Sequence, residues 1–186
     1  MANTTRQKSR LSKEQWLKRS LTLLAENKGK FRLDELVKKL GVTKGSFYWH
    51  FKSRNDFVHS LLDYWESSST NNVLTQMEAY RDADAEKRLF ELMRILRNKE
   101  FCNYDIAIRN MASWNKEVAD KVIKVDELRL SLVRRLLGEI GFINEDLEVR
   151  AHLFAVFHSL REGFLGKELT DSELELKAMH AFFIQK

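Results

Sequence analysis

Between Leu36 and Leu62 the chain reads LVKKLGVTKGSFYWHFKSRNDFVHSLL, two short amphipathic segments joined at a glycine and followed by a longer apolar one. Leu36 and Leu40 share one helical face, which predicts a short helix over Leu33 to Leu40. Gly41 supplies the permissive backbone that a tight turn after it needs. Thr43 has the chemistry of an N-cap for a third helix from about Lys44 to Phe51, and Ser53 with Asp56 repeats that signal for a fourth. Upstream, Ser12 and Gln15 form the two halves of a capping box. Leu17, Leu21 and Leu24 then make one buried stripe, ending between Asn27 and Gly29. A supporting helix followed by two short helices about a Gly-Val-Thr turn is the pattern of a helix-turn-helix.

At about 100° per residue, Phe47 and Phe51 fall on one side of the third helix and predict a face buried against the first helix, with Val42 assisting. Trp49 points the opposite way with Gly45 and Ser46 beside it, while Tyr48 and His50 stand on the two flanks. An exposed tryptophan gains nothing from water, and glycine weakens a helix by up to ~1 kcal/mol, so this pair needs a reason outside the chain. A helix lying in a DNA major groove supplies one, because its outward face meets base edges and its flanks meet phosphates. Lys44, Ser46 and Trp49 are therefore assigned to bases or nearby backbone, Gly45 to a close approach, and Thr43, Tyr48, His50 and Lys52 to phosphates. Lys44 at a helix start opposes the macrodipole, which also favours a nearby anion. The N-terminal amides at Ser53 and Arg54, beside Lys52, offer a second phosphate position. From the residues alone, packing of Tyr48, Trp49 and Phe51 against a following helix or a protein partner stays open.

Charge is distributed to match. The 186-residue chain carries a net charge of +5, yet residues 1–57 hold 14 basic against 5 acidic side chains, or +9, and the remainder 18 against 22, or −4. A basic first third on an acidic body reads as a polyanion-facing module attached to something else. The run Arg6 to Arg10 is either an arm for a further groove contact or a solvated tail. The single cysteine, Cys102, cannot form an intramolecular disulfide and reads as a small core residue or a redox sensor. The polar start TTRQKSRLSK lacks the apolar core of a signal peptide, so the expected location is the cytoplasm. No apolar run approaches the roughly 18 to 20 residues that cross a bilayer, and no membrane partner is expected.

With no proline, seven glycines and no lasting period-two alternation, the whole chain is expected to be helical. SSSTNN, Ser67 to Asn72, and RDAD, Arg81 to Asp84, are polar patches that either break helices or lie inside a long exposed one. Later helices are expected over about 85–98, 103–113, 116–138, 145–165 and 171–185, with Gly138 and Gly141 punctuating the third of these and Gly163 and Gly166 closing the fourth. There is no G-x-S-x-G, phosphate-binding glycine loop, cysteine pair or H-E-x-x-H, so no catalysis, cofactor or metal site is expected. Glu148 and His152 share a helix face, but two ligands do not make a site.

On Gly41, Val42, Thr43, Gly45, the run Phe47 to Phe51 and Lys52, the segment Leu36 to Leu62 resembles the DNA-binding segment of TetR-family transcriptional regulators. Asp105 to Phe142 resembles, less sharply, a C-terminal type common among them. The chain departs from the family pattern at Val37 and Leu40, where small residues are usual, and at Arg32, where a Ser or Thr cap is usual. The resemblance implies an all-α protein, with a three-helix DNA-binding domain over residues 1–56 and a helical dimerisation and effector-binding body over residues 57–186. It further implies a four-helix interface between two copies, built from the last two long helices. Leu147, Ala151, Phe154 and His158 share one seam there and Leu174, Ala178 and Ala181 another, as ordinary core helices also would. Phe90, Met93, Tyr104, Ile108, Met111, Trp114, Phe157 and Arg161 are candidates to line an effector pocket, though the same set describes a plain helical core. The implied function is a homodimeric, sequence-specific regulator of double-stranded DNA, a repressor released from a pseudo-palindromic operator by a small-molecule effector. The other reading is an adaptor of the same fold that acts through a protein partner without effector control.

Overall fold

The computed structural model describes residues 11–27, 29–97, 99–160 and 172–185, and every regular element among them is helical. Helix α1, Lys13–Glu26, opens on the expected capping box: the Gln15 amide donates to Ser12 Oγ at 3.1 Å and the Ser12 amide to Gln15 Oε1 at 2.9 Å. Its buried stripe is Trp16, Leu17, Leu21 and Leu24. Helices α2, Leu33–Leu40, and α3, Lys44–His50, meet at Gly41, which takes φ 68° and so avoids the Cβ–carbonyl contact any other residue would make. The Val42 amide closes the corner onto the Val37 carbonyl at 3.0 Å. Arg32 contributes no side-chain cap to α2, and Asp34 and Glu35 in the first turn complement its dipole instead. The larger side chains at the corner are absorbed by packing, since Val37 is buried and Leu40 lies half-buried against the same core.

Helix α4, Arg54–Trp65, starts at its Ser53 cap. The chain does not break at the polar run that follows but passes through a π-helical turn, Glu66–Asn71, into α5, Asn72–Met77, and a 3-10 turn, Glu78–Tyr80. Ser69 and Thr70 are buried there because their hydroxyls have partners: Ser69 Oγ donates to the Trp65 carbonyl at 2.5 Å, and Thr70 Oγ1 accepts from Arg129 at 2.9 Å. Asp84 caps α6, Ala85–Ile95. Next come α7, Lys99–Ala112, and α8, Lys116–Ile140, which is capped by Asn115 and closed by Gly141 at φ 110°. Helix α9 covers Asn144–Leu160 and α10 covers Glu173–Ile184. Gly138 thus lies inside α8, against Leu147 Cδ1, whereas Gly163 and Gly166 fall outside the described residues.

Two apolar cores organise these helices. One joins α1 to α4 with Tyr104, Ala107, Ile108 and Met111 of α7 and Val118, Val122 and Val125 of α8. The other gathers Leu92 and Met93 of α6, Leu136 and Leu137 of α8, Phe154 of α9 and Phe183 of α10. Gly29 marks the seam between the helix-turn-helix and the body: at φ 73° its α-carbon lies so close to the end of α7 that a Cβ would sit 2.5 Å from the Met111 nitrogen. No helix among the described residues is long and apolar enough to cross a membrane.

Candidate nucleic-acid interface

Helix α3 is held from beneath by aromatic packing. Phe47 and Phe51 are buried on the expected face, with ring centroids 5.8 and 6.1 Å from Trp16 of α1 and 5.3 and 4.9 Å from Phe57 of α4. These edge-on contacts fix the rotation of a helix of only 7 residues, which could not stand alone in water. The opposite face is open: Trp49 is 69% exposed and Tyr48 57%. Thr43 caps the helix by accepting the Ser46 amide at 3.1 Å.

Four of the assigned residues have partners that the sequence did not disclose. Ser46 Oγ accepts the Trp16 indole N–H at 3.2 Å, so its hydroxyl is turned toward α1 rather than straight outward. His50 is half-buried with Nε2 2.8 Å from the Leu11 carbonyl; that oxygen only accepts, so Nε2 carries the hydrogen, and Nδ1 is left as the ring's other polar atom. Lys44 Nζ pairs with Asp34 Oδ1 at 2.5 Å, and this hydrogen bond holds the Asp34 carboxyl below the usual carboxylate range. Lys52 is exposed, and its backbone amide donates to Asp56 Oδ2 at 2.7 Å, which leaves the side chain rather than the amide for an anion. A Cβ at Gly45 would meet only Thr43 Oγ1, at 3.6 Å, so nothing inside the chain calls for glycine there. The arm Arg6 to Arg10 lies outside the described residues.

Within the body is a cavity of about 440 Å³ between the π-helical turn, α5, α6, α7, α8 and α9. Its floor is polar. Asp105 accepts from Trp65 Nε1 at 2.6 Å and from Arg129 at 2.6 and 3.1 Å, and Arg109 binds both oxygens of Asp126 at 2.8 and 2.6 Å. The pocket candidates read from sequence occupy other places. Met93, Tyr104, Ile108 and Met111 fill the cores, Phe90 and Phe157 are half-buried beside His180 and His158, and Trp114 is exposed. The cavity borders none of these seven. Arg161 lies outside the described residues, as does the side chain of Cys102. The charged residues of the floor, Asp105 with Arg109 and Asp126 with Arg129, stand at i, i+4 and i, i+3, but both helices carry many other charges, so nothing in the sequence sets these four apart.

The seams read for a second copy also separate. Ala151, Phe154 and His158 are buried and Leu147 half-buried, all facing the body, while Leu174, Ala178 and Ala181 on α10 face solvent. The outward apolar residues of α9 are instead Val149, Leu153 and Val156. Glu148 is taken up by Arg134 at 2.7 Å, and His152 Nδ1 lies 2.7 Å from the Glu148 carbonyl.

A short helix presented on an aromatic platform, with an exposed polar-aromatic face and a glycine at its start, has the geometry of a helix-turn-helix. Residues 29–61 match the model of the bacterial regulatory proteins of the tetR family. The HTH-type transcriptional regulator AcrR of Shigella flexneri is 33% identical over 72 residues, a match spanning 38% of this chain and 32% of that protein. A transcriptional regulator (TerR/AcrR family) from Aquifex aeolicus VF5 shares the fold over 93% of this chain and 96% of its own, with a TM-score of 0.58 at 16% identity. The likeness to the tetR family thus lies in the helix-turn-helix segment, and the chain spans about a third of the length of the AcrR protein that it matches.

Proposed function

We propose that the protein is a homodimeric, sequence-specific repressor that leaves a pseudo-palindromic operator when a small molecule enters the body cavity. The observation that carries the DNA-reading half is the outward face of α3, where Trp49 and Tyr48 are exposed beside a Gly45 that no internal contact requires. Base contacts then fall to Lys44 and Trp49, with Ser46 at the edge of that face. Phosphate contacts fall to Thr43, Tyr48, Lys52 and the Nδ1 side of His50. Residues 1–56 serve as the reading module and residues 57–186 as the regulatory body, coupled through the core they share along α7.

Dimerisation is supported by the outward apolar face of α9 and α10, made of Val149, Leu153 and Val156 with Leu174, Ala178, Ala181 and Phe182. Large apolar side chains left on a water-facing surface in this number mark an interaction site. A two-fold dimer would set its two copies of α3 about 34–36 Å apart, in successive major grooves. Effector release is supported by the cavity, whose polar floor reaches Trp65 of α4, the helix that leaves the reading module. The test is a fluorescence-anisotropy titration of labelled duplex at rising salt, with sedimentation equilibrium of the free protein. Affinity that falls linearly on a log–log plot, from a protein that sediments as a dimer, supports the reading. Salt-independent binding or a persistent monomer overturns it.

A further inference from the structure

Resting on the reading of the cavity as the effector site, we propose that its ligand joins an apolar body to a carbonyl-type oxygen, that of a ketone, ester, amide or carboxylate, received by Arg109 and Ser159. The apolar part of the wall comes from Val73 and Leu74 of α5, Leu92 of α6, Leu130 and Val133 of α8 and Phe154 of α9. The volume falls within the roughly 300–1,000 Å³ of small-molecule sites, where a few converging polar groups fix the orientation of a mostly apolar ligand.

The two guanidinium groups of the lining are not equally occupied. Arg129 donates Nε to Thr70, Nη1 to Asp105, and Nη2 to both Ser69 and Asp105. Asp105 also accepts the Trp65 indole N–H and keeps only 7% of its side-chain exposure, so parting it from Arg129 would strand a buried charge. Arg109 is held more loosely. Its Nη1 and Nη2 reach Asp126 at 2.8 and 2.6 Å, and Nη2 reaches Ser159 Oγ at 3.4 Å. Its Nε is buried and finds no acceptor among the described residues, and Nη1 carries a second hydrogen that also lacks one there. Donors of a buried cation left without acceptors are costly, and a ligand oxygen removes part of that cost. Asp126 keeps 40% of its side-chain exposure, so it rehydrates readily when the guanidinium turns toward a ligand.

Ser159 adds a second donor beside the first. Its Oγ accepts from Arg109, and its own hydroxyl hydrogen has no acceptor among the described residues. A guanidinium of α7 and a hydroxyl of α9 thus stand next to each other on the cavity wall. One carbonyl oxygen, with two lone pairs, accepts from both, and the apolar body attached to it fills the rest. An ammonium head instead brings more donors to the side of a cation. Glu127, the lining carboxylate outside these pairs, is exposed, where water and salt screen it.

The experiment is a calorimetric titration of the full chain at pH 7 with three molecules of similar tail: 2-nonanone, octanoate and octylammonium, each below its solubility limit or critical micelle concentration. At least one of the two oxygen acceptors is expected to bind at least tenfold more tightly than octylammonium, and whichever of them binds tighter identifies the ligand as neutral or anionic. Arg109→Met keeps the length of the side chain without its donors and is expected to weaken binding of that acceptor at least tenfold. Ser159→Ala removes only the hydroxyl and is expected to weaken it about two- to tenfold, so the result does not depend on the folding of one variant. Octylammonium binding within tenfold of both acceptors overturns the proposal. So does absence of binding by all three, or acceptor binding unchanged in both variants. Salt-dependent duplex binding, measured on the same preparations, separates this proposal from the function itself: ligand failure with duplex binding intact refutes the ligand class alone.

Discussion

The indole N–H of Trp16 donates to Ser46 Oγ across 3.2 Å, tying α1 directly to α3, the helix proposed to read DNA. Trp16 is fully buried and also packs edge-on against Phe47 and Phe51, so one residue sets both the depth and the rotation of α3. Trp16→Phe retains most of the ring contacts and loses the hydrogen bond, and is expected to cost about 0.5–1.5 kcal/mol in urea denaturation. Trp16→Ala empties the site and is expected to cost about 3–5 kcal/mol. Equal costs for the two variants would contradict the assigned bond.

Gly45→Ala separates folding from recognition. Its Cβ meets only Thr43 Oγ1 at 3.6 Å, so the substitution is expected to raise stability by about 0.5–1 kcal/mol through helix propensity. Duplex affinity is expected to fall at the same time, because the added methyl group occupies the space a phosphate or base approaches. Thermal melts followed by circular dichroism, with anisotropy on the same preparations, read both quantities.

Lys44 and Lys52 differ in what they should report. Lys52→Ala is expected to weaken binding to all sequences and to reduce the salt slope by roughly one phosphate's worth, whereas Lys44→Ala should also relax specificity. Lys44 is held by Asp34 in the free protein, so Asp34→Asn is expected to strengthen duplex binding roughly two- to five-fold. The Asp34 carboxyl titrates below its ordinary range, so this restraint is present at neutral pH and is lost only as the pH falls through that lowered value.

At the seam and in the cavity floor, two substitutions probe the body. Gly29→Ala demands a positive φ from alanine and places a Cβ 2.5 Å from the Met111 nitrogen, and is expected to cost well over ~1 kcal/mol. Asp105→Asn leaves Arg129 facing a neutral amide and is expected to cost near the lower end of about 3–5 kcal/mol, since Arg129 keeps 24% of its side-chain exposure. Chemical denaturation checks both.

The outward face of α9 is tested by Leu153→Glu, which places a charge on the proposed contact between copies. The variant is expected to sediment as a monomer with unchanged helicity and to lose operator affinity by more than tenfold. The buried Ala151, on the other side of the same helix, should fail differently when enlarged, by unfolding rather than by dissociation.

Local chemistry made the N-terminal helices legible. Ser12, Thr43 and Ser53 announce their helices through caps, and Gly41 marks a turn that needs positive φ. Helix α9 was harder to read because it is apolar on both sides: Ala151 and Phe154 face the core, and Val149, Leu153 and Val156 face water, so periodicity alone does not say which stripe is which. The cavity was not legible for a related reason. Ser69, Thr70, Asp105 and Arg129 are polar residues whose burial depends on partners from distant parts of the chain, and of the expected pocket aromatics Tyr104 and Phe90 pack in the two cores while Trp114 is exposed. The SSSTNN run looks like a loop until those same partners satisfy its hydroxyls and let the helix continue.

The measurement that bears most directly on the central claim is selection of bound duplexes from a random DNA pool, read by sequencing at near-physiological salt. The account predicts an enriched, two-fold symmetric motif whose half-sites lie one helical turn apart, or a whole multiple of it. It also predicts loss of that motif in Trp49→Ala. Salt-sensitive binding with no enriched motif, or an unchanged motif in Trp49→Ala, would contradict the claim that the outward face of α3 reads DNA sequence.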